Sequence, residues 1–222
     1  METTLHRQLK ELYAGSPHEI EMRIGRYRID ALRGDELIEV QCASLSAIGR
    51  KIADLVKRHR VRVVKPVVHR TRILKSKKKD GPITSRRLSP KKGGPLDLFE
   101  DLIYFTRLFP HPNLVIEAPC VDVQQLRVPT KGRRRRRRWN TDYDVADVML
   151  ESIGESIELR QREDLLALVG LPDGGEAFDT ADLAKRIDRP RWVAQKIAYV
   201  LRQTGAIEAH GRKRSGILYK AA

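Results

Sequence analysis

Asp30 and Glu39 are the residues whose types and spacing most plainly point to chemistry. They sit in two short alternating runs on either side of Gly34-Asp35. In the first run Tyr27, Ile29 and Ala31 share one face, with Arg26, Arg28 and Asp30 on the other. In the second, Ile38, Val40 and Cys42 lie opposite Glu39 and Gln41. A period of two predicts β-strands, and a two-residue Gly-Asp loop predicts a hairpin. Pairing outward from that turn sets Arg33 against Glu36 and brings Asp30 opposite Glu39. If Gly25-Arg26 is a second such turn, Glu21 falls opposite Asp30, and three carboxylates line up across three strands. Like charges directly opposite, roughly 5 Å apart, destabilise a sheet unless a cation lies between them. A hard divalent ion, Mg²⁺ or Mn²⁺, takes carboxylate oxygens and suits that gap. Taken alone, an Asp–Glu pair more often marks a solvated face whose register slips by a residue or two.

The wider pattern is Asp30, eight residues, then Glu39-Val40-Gln41 in an apolar strand followed by a helix. This resembles the core of the PD-(D/E)XK nuclease superfamily, which includes Holliday-junction resolvases and many restriction and repair nucleases. The resemblance covers roughly residues 1–75. It implies an α/β fold with a mixed sheet and flanking helices, restriction-endonuclease-like. It also implies that Asp30, Glu39 and the carbonyl of Val40 hold Mg²⁺ or Mn²⁺, assisted by Glu21 or by Glu11 on the first helix. Gln41 stands where the superfamily has lysine. Glutamine carries no charge and is no base, yet it can orient a water. The missing lysine sometimes migrates onto the next helix, which makes Lys51 its candidate replacement. The implied activity is metal-dependent hydrolysis of DNA phosphodiesters. The alternative, which Gln41 favours, is a catalytically inactive DNA-binding architectural or regulatory protein on the same scaffold. An RNA-binding protein is a weaker third possibility.

The elements that would position these residues follow from periodicity. Residues 3–14 predict a helix capped by Thr3 or Thr4, with Leu5, Leu9, Leu12 and Tyr13 as its apolar stripe. His6 and Lys10 lie one turn apart on it, within reach of a phosphate. Residues 43–59 predict a second helix, 61–68 a buried strand continued or followed through 74, and 75–95 a basic excursion able to reach a phosphate backbone. A helix over 96–109 and a strand or bent pair over 114–128 complete a first domain, 1–128. His69 could serve as a base, although a satisfied sheet-edge histidine is the commoner case.

Arg133, Arg134, Arg135, Arg136, Arg137 and Arg138 form an unbroken basic run inside a linker placed at 129–141. From 142 the spacing of Val145, Val148, Met149 and Ile153 predicts a helix, opening a second domain, 142–222. Within it, a helix capped by Asp179, a turn at 188–190, a helix over 191–204 and a basic hairpin resemble a winged helix-turn-helix. That likeness implies DNA contact through Arg191, Trp192, Gln195, Lys196 and Tyr199 on the second helix. The wing would add Arg212, Lys213 and Arg214. The formal net charge of +15 over 222 residues points to a polyanionic partner, duplex or branched DNA first. Two cysteines are too few for a disulfide framework or a zinc site. With no signal-like start and no apolar run of membrane length, the expected location is the cytoplasm, at the nucleoid.

Overall fold

The computed structural model describes residues 2–130, 142–171, 175–214 and 216–222. Helix α1 (Thr4–Tyr13) comes first, with the Thr3 hydroxyl accepting from the His6 amide. Strands β1 (Ile20–Ile24), β2 (Tyr27–Arg33) and β3 (Glu36–Val40) form an antiparallel meander. The sequence register holds on both sides: Arg33 pairs with Glu36, Leu32 with Leu37 and Ala31 with Ile38, while Ile24 pairs with Tyr27 and Met22 with Ile29. Gly25 and Gly34 sit at φ of 57° and 61°, which glycine adopts without steric penalty and which these tight turns require. A short helix α2 (Gly49–Leu55) crosses over to β4 (Arg60–Val64), parallel to β3. The predicted helix over 43–59 thus contracts to α2 plus one 3-10 turn.

Beyond β4 the chain continues as β5 (Val67–Ser76), in the same register against the long strand β7 (Leu114–Pro129): Val61 lies beside Leu114, and Val67 beside Cys120. Strand β6 (Ile83–Leu88) folds back on β5 as an edge strand, so part of the basic excursion is ordered hairpin. The helix expected over 96–109 shrinks to a 3-10 turn and α3 (Phe99–Leu102). On its other edge β7 pairs antiparallel with β8 (Tyr143–Leu159), completing an eight-stranded mixed sheet.

Strand β8 corrects two expectations. Residues 143–159 are not helical, and the domain division at 129–141 falls inside the β7–β8 hairpin. Segments 142–159 therefore belong to the first unit. Along β8 only Leu159 is fully buried, while Val145 and Ile153 are exposed and the other apolar residues are intermediate, because most of the strand covers the edge of β7 rather than a core face. Without alternation to fix the period, the three- and four-residue spacings imitate a helix. After it come α4 (Arg162–Leu168), α5 (Thr180–Arg186), α6 (Arg191–Gln203) and the hairpin β9 (Ile207–Lys213) and β10 (Gly216–Ala221). Phe178 bridges Tyr219 as a short third strand. Asp179 caps α5, accepting from the amides of Ala181 and Asp182.

Two apolar layers hold the sheet. Leu5, Leu9 and Tyr13 of α1 pack on Ala31, Ile38, Val40, Val121 and Val123. On the other side Ile52 and Leu55 of α2, Phe99 and Leu102 of α3, and Leu165, Ile197 and Leu201 of the C-terminal helices join one continuous core. A buried polar network ties α1 to the strands. Arg62 bonds Glu36 (2.8 Å), Glu117 (2.5 Å) and Glu158 (2.5 Å), and Glu117 accepts from the Tyr13 and Ser156 hydroxyls. Removing one member of such a network strands an uncompensated buried charge. Arg62→Met is therefore expected to cost about 3–5 kcal/mol in urea unfolding. Arg160→Met, breaking the exposed 2.6 Å pair with Glu158, should cost under about 1 kcal/mol.

Candidate functional site

The β2–β3 ladder stops after Ala31 and Ile38. In its place the Val40 amide donates to Oδ2 of Asp30 at 2.9 Å, so a side chain completes the strand pairing and fixes that carboxylate. Glu39 follows on β3, its side chain 8% exposed. Lys51 of α2 lies over it, Nζ at 2.6 Å from Oε2, and also donates to the Arg28 carbonyl. Burial first, and then the negative charge of Asp30, raise the Glu39 carboxyl to a pKa of about 7. Two interacting carboxylates are thus both largely withdrawn from solvent.

From the other face of the sheet His6 of α1 reaches the same point. Its Nε2 lies 2.9 Å from the Val40 carbonyl and 3.3 Å from Oδ2 of Asp30, and its Nδ1 lies 2.9 Å from Glu2. Every partner is an acceptor, so both ring nitrogens must carry protons to satisfy them. The hydrogen bond to Asp30 leads in raising the His6 pKa to about 9, against the opposing effect of burial. The ring is an imidazolium at neutral pH. One turn on, the buried Lys10 ammonium holds Glu2 (2.6 Å) and Glu21 (2.7 Å).

The expected site residues separate accordingly. Asp30, Glu39, the Val40 carbonyl and Lys51 come together. Glu21 does not join them: it takes φ of 60°, dropping out of the β1–β2 ladder between Met22 and Ile20, and turns to Lys10 and Arg28. Glu11 is exposed, two residues and hence roughly 200° around the helix from the buried Leu9. Leu12 leaves the apolar stripe as well, at 54% exposed. Gln41 bends back on its own loop, accepting from the Ala43 amide and donating to the Ser44 carbonyl. It is placed to hold that loop rather than to orient a water at the carboxylates. His69 pairs with Asp122 at 3.3 Å on the sheet, away from this cluster.

His6 is the residue that sequence reasoning underweighted. It neighbours the buried Leu5 and sits one turn from Lys10, the signal that could have placed it at the strand ends. Beside it opens a groove of about 830 Å³ between the start of α1, the 41–43 loop and the base of β5, with His6, Gln41, Lys65, Thr71, Lys91 and Asp101 among its walls. Lys65 and Asp101 close one side as a largely buried 3.0 Å ion pair, and Lys65 also donates to the Ala43 carbonyl.

Oxygen donors from Asp30, Glu39 and Val40 fit a hard divalent ion in chemistry, and the charge of Asp30 adds to burial in raising the Glu39 carboxyl. Among the described residues, no three His, Cys, Asp or Glu side chains converge to enclose a metal by themselves. Two protein cations, His6 and Lys51, stand against the two carboxylates instead.

In the C-terminal unit Trp192 and Tyr199 are 55% and 48% exposed, and Arg191 and Gln195 lie on the same open face of α6. Lys196 differs. It pairs with Glu100 of α3 at 3.1 Å and lies 4.8 Å over the Trp192 ring, so its charge serves a contact between the units. Arg212, Lys213 and Arg214 are exposed at the hairpin tip. The run Arg133–Arg138 lies outside the described residues.

The titrations give this site a pH signature. Glu39 and His6 both bind a proton more tightly folded than unfolded, from 4.5 to about 7 and from 6.5 to about 9. The stability each proton contributes is complete below the unfolded value and lost as pH rises through the folded one. Unfolding free energy should therefore decline between roughly pH 5 and 9. Glu39→Gln should remove up to about 3 kcal/mol of that decline, all of it below about pH 7.5. Thermal melts across the range read this, and an identical profile for wild type and variant would contradict the assignment.

No curated protein and no solved structure matches this chain. One family model does, described as a domain of unknown function, DUF8091, over residues 3–160. That span ends with β8, where the sheet ends, and leaves the C-terminal helices outside it. Covering well over half of the chain, the match means that this protein belongs to the DUF8091 family.

Proposed function

We propose that the protein is a metal-dependent nuclease acting on DNA, with a PD-(D/E)XK-type centre and a C-terminal winged helix. The carrying observation is the meeting of Asp30, Glu39 and Lys51 where β2 and β3 part. The mixed sheet around them, with a helix before the meander and the helix α2 after Glu39-Val40-Gln41, supports the reading. In the C-terminal unit, three helices, a strand bridge at Phe178 and a two-stranded wing support the second half of the reading.

In this reading Asp30, Glu39 and the Val40 carbonyl hold Mg²⁺ or Mn²⁺. The ion supplies a lowered pKa for its water and stabilisation of the charge that develops on the phosphate. The chain's own groups do the rest. Lys51 supplies the ammonium that the superfamily carries two residues after the glutamate, and it restrains Glu39. His6 holds a proton against Asp30 and the Val40 carbonyl, and must release or withdraw it before those oxygens can take another cation. Proton loss from His6 and Glu39 with rising pH therefore favours occupation of the site. The groove beside His6 offers the substrate strand a path to the carboxylates.

The second reading, a DNA-binding protein without hydrolytic activity, is favoured by one observation: two carboxylates and two cations already balance. Cleavage decides between them. On linear, supercoiled and branched DNA with Mn²⁺ or Mg²⁺, Asp30→Asn and Glu39→Gln should lose activity, and Lys51→Ala should fall at least about a hundredfold. Affinity in chelator should stay near wild type for all three. Absence of cleavage by wild type on every form with both metals would leave the non-catalytic reading.

The winged helix carries its own test. If α6 reads the major groove, Gln195→Ala should reduce discrimination between a preferred and a scrambled duplex by about 1–3 kcal/mol. Replacing Arg212, Lys213 and Arg214 by serine should lower the slope of log affinity on log salt by roughly 2–3 and treat all sequences alike. Unchanged binding by both variants would assign this unit to a protein partner.

A further inference from the structure

Residues 70–92 hold ten lysines and arginines and a single carboxylate, Asp80. They form the distal part of β5, the turn beyond it, β6 and the return towards the groove. Arg70, Lys75, Arg86, Arg87, Lys91, Lys92 and the three lysines at 77–79 are all exposed. Among the described residues, Arg72 is the one cation of this stretch in an ion pair, with Glu151 at 2.6 Å. Elsewhere several exposed cations find carboxylates: Arg26 and Lys57 share Asp54, Arg60 meets Asp35, and Arg28 meets Glu21.

An edge strand is often charged simply to prevent pairing with another chain. Either sign serves that purpose, and a few residues suffice. Concentrating like charge raises the self-repulsion of the fold, so nine cations outside any ion pair along this hairpin and its return, with Asp80 within the stretch and Asp147 acting on Lys79, exceed what edge protection needs. The position is informative too. Thr71, Ser89 and Lys91, at the hairpin base, line the same groove as His6, whose ring touches Asp30. A polyanion lying along the hairpin is thereby led towards the carboxylate pair.

We propose that the β5–β6 hairpin is the main docking surface for the nucleic-acid backbone, contacting successive phosphates with its exposed lysines and arginines and passing the strand into the groove beside His6. The inference rests on the proposed function for the identity of the partner, and not on cleavage. Phosphate contacts of this kind position the duplex without reading its sequence. The hairpin and the winged helix then divide the work, one supplying affinity and the other any sequence preference.

The test is a salt titration of binding in chelator, so that loss of cleavage cannot be mistaken for loss of docking. Wild type and a variant with Arg86, Arg87, Lys91 and Lys92 replaced by serine are compared on a fluorescent duplex and on a single strand. Neutralising four contacts should lower the slope of log affinity on log salt by roughly 3–4 on the duplex and proportionately less on the single strand. Affinity should fall equally for preferred and scrambled sequences. As a second measurement on unmutated protein, bound duplex should shield Lys77, Lys78, Lys91 and Lys92 from acetylation. An unchanged slope together with unprotected lysines would overturn the proposal, as would a variant that loses binding to vesicles of anionic lipid while keeping its DNA affinity.

Discussion

The interaction on which the structure turns is the hydrogen bond from the Val40 amide to the Asp30 carboxylate. A regular ladder would have paired Asp30 with Glu39 through the backbone and set both side chains side by side on one face. Instead the strands part after Ala31 and Ile38, and Asp30 itself supplies the acceptor that β3 would otherwise lack. That leaves two carboxylates beside each other at a strand end, one of them nearly buried. Each draws a cation from a different layer, His6 from α1 and Lys51 from α2. The sheet end therefore fastens both helices at once, and the same charges that could serve chemistry also hold the local fold.

This double use explains why the remainder of α1 is placed as it is. Leu5, Leu9 and Tyr13 set its inward face, and that fixes His6 and Lys10 on the flank nearest β1 and β2. Lys10 takes Glu21 out of the carboxylate row, and Tyr13 anchors the far end of the helix on Glu117 within the Arg62 network. Displacing α1 would expose apolar surface and strand buried charge at both ends. A preformed, stiff first layer of this kind suits a site that must keep oxygen donors at fixed spacing.

Much of this was legible in the sequence because the informative signals were local. Gly25-Arg26 and Gly34-Asp35 set the register of three strands, Thr3 capped α1, and Asp179 capped α5. Those positions depend on turn and cap chemistry, which neighbouring residues determine. What was illegible depended on distant partners. The positive φ of Glu21 interrupts the β1–β2 ladder where its carboxylate turns to Lys10 and Arg28; Gln41 is the exception, its partners lying within its own loop. Strand β8 owes its conformation to pairing along the edge of the preceding strand β7, and its own residues carry no strand period to read. His6 gains its significance from two acceptors 24 and 34 residues away.

The placing of the C-terminal unit follows from packing rather than from a linker. Phe99 and Leu102 share one continuous core with Ile197 and Leu201, and the Lys196–Glu100 pair lies at the margin of that contact. Helix α6 therefore presents Trp192, Gln195 and Tyr199 outward while one flank stays committed to α3. Because α3 also helps to wall the groove through Asp101 and its neighbour Glu100, whatever seats on α6 sits at a fixed distance from the carboxylate pair. A flexible tether would let binding and chemistry occur independently. Under the proposed function, a shared core would make them a single geometric choice, with the exposed face of α6, the groove and the end of the β2–β3 ladder as parts of one surface.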